Sequence, residues 1–182
     1  MIKPEDFKVA FLSIYNKCKE EFFLYWYDSK TYTRFILEND LKGFLFQISK
    51  ELGLEYFKEY WQIDAIMYKE KNTTYFPKNS TYAEYLSVAV EHENIANYSH
   101  NEINKLSFIN SPLKVLITYP LNKDKGKLLL LDYADILKRA DIFDEFSTSK
   151  RHLVVFGLTD KEDKHNINWE FYIYHFGNFM TI

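Results

Sequence analysis

Apolar side chains return every three or four positions through the first part of the chain, as Phe7, Phe11, Ile14 and Tyr15 and then as Phe35, Ile36, Leu41, Leu45, Ile48 and Leu52. That spacing gathers them on one face of a helix. Pro4, Glu5 and Asp6 suit a first helical turn, so the pattern predicts one long amphipathic helix over 4–27. A second is predicted from near Ser29 or Thr31 to Gly53, a residue that favours a helix stop.

The texture changes at Tyr56. In YFKEYWQIDAIMYK, residues 56–69, aromatic and β-branched residues mix with single polar ones over a length that suits one long strand. Asn72, Pro77, Asn79 and Ser80 mark a turn-rich stretch, and YLSVAVEHEN, residues 85–94, reads as a second strand that closes a hairpin with the first. In SHNEINKLSFI, residues 99–109, Ser99 and Glu102 have the spacing of a capping box ahead of Ile103, Leu106 and Ile109, which predicts a short helix. LKVLITYP, residues 113–120, is almost continuously apolar, as a fully buried strand is. NKDKGK, residues 122–127, reads as a loop before a helical stretch to about Phe146. LVVFGL, residues 153–158, is another strand, DKEDKHN a charged loop, and NWEFYIYHFGNF a final alternating run. Strand, helix and buried strand in succession suggest a parallel pair within an α/β arrangement.

Composition narrows the class. A chain of 182 residues is long enough for one domain with a real core, and no repeat, low-complexity tract or linker divides it, so a single domain spanning 1–182 is expected. Hydrophobic residues at 47% and charged residues at 27% disfavour disorder and membrane classes. Aromatic residues reach 19%, so packing is the first explanation of any ring cluster. A formal charge of -3 argues against a non-specific basic coat for nucleic acid, while leaving room for a local groove. Arg34, Arg139 and Arg151 are the only arginines, too few for dense two-pronged reading of guanine edges. Cys18 is the only cysteine, which excludes a disulfide framework and a cysteine metal site and fits a reducing setting. No run of about 18 apolar residues occurs, so the expectation is a cytoplasmic protein off the membrane.

The candidate chemistry lies where a strand ends on two carboxylates. In VAVEHEN, residues 88–94, successive side chains of an extended chain point to opposite faces, so Glu91 and Glu93 share one. Like charges side by side need solvent or something positive between them. Asp64, flanked by apolar residues in WQIDAI, is expensive to bury alone and could face solvent on an edge. In the predicted hairpin it lies beside Glu91, and together these acids are the hard oxygen ligands that suit Mg²⁺ or Mn²⁺. His92 alternates away from the glutamates and reads as a sheet-facing histidine, and Asn94 as a strand terminator. Lys123, Lys125 and Lys127 read as a solvated loop before they read as phosphate contacts; Lys150, Arg151 and His152 share that ambiguity.

These residues and their order resemble the PD-(D/E)XK nucleases, whose fold is that of restriction endonucleases. The family pattern is an acid on one strand, then an acid, any residue and a lysine on the next, followed by a helix and a strand. Asp64 matches the first acid and Glu91 the second, and the resemblance covers residues 56–119 best. It implies a restriction-endonuclease-like α/β core, with a mixed central sheet flanked by helices after two N-terminal helices. It also implies a metal-dependent phosphodiester hydrolase with nucleic acid, DNA first, as substrate; a homo-oligomer is compatible with it. Asp64, Glu91 and the backbone carbonyl of His92 would hold Mg²⁺ or Mn²⁺. Glu93 stands where the family has its lysine, as a glutamate does in some restriction enzymes of this fold. Alternatively Lys105, on the following helix, returns an ammonium to the site, as helix-borne lysines do in viral cap-snatching endonucleases. Lys105 is preferred, although Ile103 and Leu106 mark the buried side of that helix. A further upstream acid is common in the family, for which Glu59, given a bulge, or Glu21 are candidates.

Two other classes compete with this expectation. The displaced lysine and the acidic net charge fit a non-catalytic binding protein that keeps the fold. An enzyme of nucleotide or phosphoester metabolism would use the same metal site, but the chain has neither a Gly-rich phosphate loop nor the Ser, His and Asp signature of a hydrolase.

Overall fold

The structure is a computed structural model that describes residues 1–69, 85–140, 151–159 and 166–182. The expected turn at Asn72, Pro77, Asn79 and Ser80, the helix beyond Ala140, Lys150 and most of DKEDKHN lie outside the described residues.

The predicted helix over 4–27 is two helices, α1 (Pro4–Lys17) and α2 (Lys19–Tyr25). The break falls at Cys18, whose N–H is shared between the carbonyls of Ile14 and Tyr15 at 3.0 and 3.2 Å. The bend carries Phe22 into the core, where its ring meets Tyr15, Tyr32, Phe35, Phe44 and Trp169 with centroids 4.7 to 5.9 Å apart. Edge-to-face pairing of this kind adds to plain area burial.

The second predicted helix is likewise two, α3 (Ser29–Leu37) and α4 (Phe44–Glu51). Asp28 is the cap of α3, its Oδ1 accepting from the N–H groups of Lys30 and Thr31. Between the helices the Glu38 carbonyl approaches Gly43 so closely that a Cβ there would sit 1.9 Å from it. Only glycine fits that approach. The two N-terminal helices of the sequence reading are thus four, and Leu41, which carried the period across the gap, is 82% exposed.

The stretch 56–69 is a hairpin rather than one strand. β1 (Glu55–Tyr60) pairs with β2 (Ile63–Lys69) around a two-residue turn, Trp61 and Gln62, both with positive φ. The remaining strands are β3 (Tyr85–Glu93), β4 (Leu113–Thr118), β5 (Arg151–Thr159), β6 (Ile167–His175) and β7 (Asn178–Thr181). The final alternating run therefore also folds back, at Phe176 and Gly177. All seven form one mixed sheet in chain order, with β3, β4 and β5 parallel and the outer neighbours antiparallel.

Two crossover helices join the parallel strands. α5 (Ser99–Ser107), preceded by a short 3-10 turn at Ala96–Tyr98, links β3 to β4, and α6 (Lys123–Ala140) links β4 to β5. Both crossovers step the same way along the sheet, so a common hand puts both helices on one face. α1 to α4 cover the other, which is why β4 is buried on both sides. Residues 122–127, expected as a loop, hold the cap and first turn of α6, with Asn122 Oδ1 accepting from Lys125 N–H at 2.9 Å. The expected capping box of α5 is absent too. Ser99 lies inside the helix and bonds to the Ala96 carbonyl and the Tyr133 hydroxyl, leaving Glu102 free for Lys105. Among the described residues no helix is long and apolar enough to cross a membrane.

Candidate functional site

The antiparallel register of β2 and β3 pairs Ile66 with Ala89 and Ala65 with Val90. Its next step sets Asp64 opposite Glu91. Both side chains project toward the face covered by α5 and α6, as Ile66 and Ala89 do. The backbone ladder ends there, and the Asp64 carboxylate accepts the next N–H of β3, that of His92, at 2.8 Å. An extended residue sends its N–H and C=O toward the same neighbouring strand, so the His92 carbonyl also faces the β2 side.

Glu91 is 1% exposed. The Lys105 ammonium lies 2.9 Å from its Oε1 as an ion pair without hydrogen-bond angles, and neither Glu91 oxygen has a hydrogen-bond donor when ionised. Asp64 lies within hydrogen-bonding reach of Glu91, and so does Glu102. Ionised carboxylates only accept, so this contact is satisfied by a proton or by a cation. Burial, followed by the charge of Asp64, pushes the Glu91 carboxyl up to about 9, so in the metal-free chain it carries the proton at neutral pH. Burial also raises Asp64, held back by the His92 N–H.

Lys105 is the hub of the site. Besides Glu91, its ammonium meets Glu102 Oε2 at 2.5 Å and the carbonyl of Gln62, in the β1–β2 turn, at 3.0 Å. Burial works to lower its pKa, but Glu102 and Glu91 outweigh it and the net shift is upward. Lys105 is therefore a fixed positive charge at neutral pH and cannot accept a proton.

Glu93 shares the face but not the cluster. Its Oε1 turns back to the N–H of Ile95 at 2.8 Å, capping the chain as it leaves β3. His92 points through the opposite face, where its Nε2 and the Tyr119 hydroxyl are 3.0 Å apart and that hydroxyl is 2.9 Å from Tyr32's. Burial lowers the His92 pKa to about 3, so the ring is neutral. Asn94 donates to the Thr33 hydroxyl at 2.6 Å and to that of Ser29 at 3.1 Å, tying the end of β3 to α3.

The other candidates stand apart. No register shift separates β1 from β2 at Glu59, which is exposed with its carboxylate 3.9 Å from Lys58. Glu21 is exposed on α2, in the layer on the far side of the sheet, where a depression of about 620 Å³ at the α1–α2 bend has no link to the acids. Lys123 pairs with Glu170 at 2.8 Å and Lys127 with Asp124 at 3.5 Å. His152 is buried beside Lys114, which removes it as a phosphate contact. Glu102 is the residue that sequence reasoning missed as a site member. Its position three residues before Lys105 was the available signal.

Among the described residues, no three His, Cys, Asp or Glu side chains converge as a cation cage. Asp64, Glu91 and the His92 carbonyl are the hard oxygens here that could hold a divalent ion, and each Glu91 oxygen is buried without a hydrogen-bond donor. Comparison with protein-family models, with curated proteins and with solved structures finds no match.

Proposed function

We propose that the protein is a metal-dependent phosphodiester hydrolase acting on nucleic acid, DNA first, with a restriction-endonuclease-like core. The observation that carries this reading is the contact between Asp64 and the buried Glu91, two acceptors that need a cation or a proton between them, beside the ammonium of Lys105.

Asp64, Glu91 and the His92 carbonyl would hold Mg²⁺ or Mn²⁺, which when bound polarises a phosphoryl group and lowers the pKa of a coordinated water. Glu91 would hold the ion as a carboxylate and so would have to release the proton that burial favours. Asp64 stays oriented by the His92 N–H. Lys105 has the fixed charge to steady the oxygens of the reacting phosphorus, and Glu102 holds that charge in place. Of the two substitutes for the lysine of the nuclease pattern, Lys105 is the one free to act beside Glu91, because the Glu93 carboxylate is engaged by the Ile95 N–H.

The reading is tested by incubating the protein with labelled single- and double-stranded DNA and RNA in Mn²⁺, in Mg²⁺ and in EDTA. Cleavage that needs the metal and disappears in Asp64→Asn/Glu91→Gln is expected; no cleavage of any substrate at millimolar metal contradicts it. A second reading is a non-catalytic nuclease-fold binding protein. It is favoured by the 1% exposure of Glu91, which sits closed beneath Lys105 and Glu102.

A further inference from the structure

At the rim of the acid cluster the β1–β2 turn presents a large ring to solvent. Trp61 is 84% exposed, and the carbonyl oxygen of its neighbour Gln62 accepts from the Lys105 ammonium that also meets Glu91. One cation thus ties the turn to the acids, and the indole stands one residue from that tie. Tyr60 lies behind it at 6.4 Å, ring centre to ring centre, with Phe57 behind Tyr60 at 5.9 Å.

The turn itself is costly. Trp61 has φ 50° and Gln62 φ 66°, the left-handed conformation required at both central residues of a tight hairpin turn of this hand. Asn and Gly accept it readily, whereas a bulky side chain does so only at a cost in local strain. Among the described residues the β6–β7 hairpin turn has the same hand, with Phe176 at φ 45° and Gly177 at φ 83°, but no ion pair or hydrogen bond ties it to the acid cluster. A tryptophan held in a strained turn, exposed and bonded through its neighbour into a polar site, points to a ligand that uses the ring.

We propose that Trp61 is a stacking platform for an unpaired base of single-stranded nucleic acid, placed so that the adjoining phosphodiester reaches the Asp64–Glu91 pair. This rests on the reading of that pair as a hydrolytic site. The charge balance favours this class of ligand over a duplex. A net charge of -3 argues against a non-specific basic coat that would bind duplex backbone by counterion release, so a source of affinity other than such a coat is favoured. Stacking on an aromatic ring supplies it independently of base identity, and only an unpaired base has a free face to offer.

The test is titration of the metal-free protein, in EDTA, with a short oligothymidylate while tryptophan emission is read. Trp61 is the exposed tryptophan, since Trp26 and Trp169 are partly buried in the aromatic core. The wild type is expected to lose emission on binding, and Trp61→Asn to lose the quench and bind roughly 5- to 150-fold more weakly, the worth of one stacked base. Because asparagine suits the turn, this variant is expected to melt no lower than wild type, which separates lost binding from lost folding. A hairpin duplex of the same length is expected to bind weakly and without dependence on Trp61. Equal affinity of Trp61→Asn and wild type, no binding by wild type, or duplex binding as tight as the oligothymidylate would each overturn the platform. Asp64→Asn/Glu91→Gln is expected to keep the quench. Quenching by a wild type that cleaves nothing in Mn²⁺ contradicts the hydrolase reading alone, whereas metal-dependent cleavage with unchanged Trp61→Asn binding contradicts the platform alone.

Discussion

The Lys105 ammonium and Glu91 Oε1 are 2.9 Å apart, joining the helix that follows β3 to the last buried acid of that strand. The same ammonium holds the β1–β2 turn through the Gln62 carbonyl, so strand, helix and turn are fixed around one charge. The acids and the base of the cluster depend on each other for their ionisation.

That dependence gives a pH signature. Glu91 has a folded pKa of about 9 against an ordinary 4.5, and Asp64 is shifted the same way. The folded state therefore holds more protons than the unfolded chain between those values, and stability falls as pH rises from about 4.5 toward 9. One such group contributes a slope of at most about 1.4 kcal/mol per pH unit. Urea unfolding of the metal-free protein at pH 5, 7 and 9 should show this decline, and Glu91→Gln, which cannot ionise, should flatten it. A Glu91→Gln slope equal to wild type would place the proton elsewhere.

Lys105→Met removes the cation and leaves Glu91 and Glu102 facing each other. Because Glu91 keeps its proton, the cost is smaller than for a broken pair of fixed charges, about 1–3 kcal/mol at pH 8 and less at pH 5. Cleavage in Mn²⁺ should fall about 100-fold or more if Lys105 steadies the reacting phosphoryl group. Urea midpoints and single-turnover rates on the same preparation separate the two effects.

Glu93→Ala tests the division between the glutamates. It removes the bond to Ile95 and should cost about 1 kcal/mol. Its response to Mn²⁺ should match wild type, since Glu93 lies outside the cluster. A lost manganese response would return Glu93 to the metal site.

Phe22→Ala probes the aromatic core that the α1–α2 bend creates. Emptying the space among five surrounding rings should cost about 3–5 kcal/mol in chemical unfolding. A loss near that of an exposed residue would mean that the neighbouring rings collapse into the gap.

Much of this arrangement was legible in the chain, and the exceptions have common causes. Alternation placed Glu91 and Glu93 on one face and His92 on the other, and the hairpin of 56–69 with 85–94 set Asp64 beside Glu91. Helical period did not reveal the breaks at Cys18 and at 38–43, because both halves of each pair face the same core and the period runs on through them. Asp40 and Gly43 signalled the second break, but Leu41 masked it by falling in phase. The turn at Trp61 and Gln62 carries none of the residues that mark turns, so 56–69 read as one strand. Asn122 falls in a stretch that looks like loop in the sequence, yet its side chain caps α6. Glu102 has the spacing of a cap that Ser99 does not form, and its pairing with Lys105 emerges only once α5 packs against β3.

The most direct measurement is thermal unfolding with and without millimolar Mn²⁺, on the native chain and on Asp64→Ala/Glu91→Ala. An ion held by the folded acids at about 100 times its Kd adds about 2.7 kcal/mol, which for a chain of this size raises the midpoint by roughly 5–10 °C. The account predicts that rise in the native chain and none in the double variant. An unchanged native midpoint, or an equal rise in both, would contradict it.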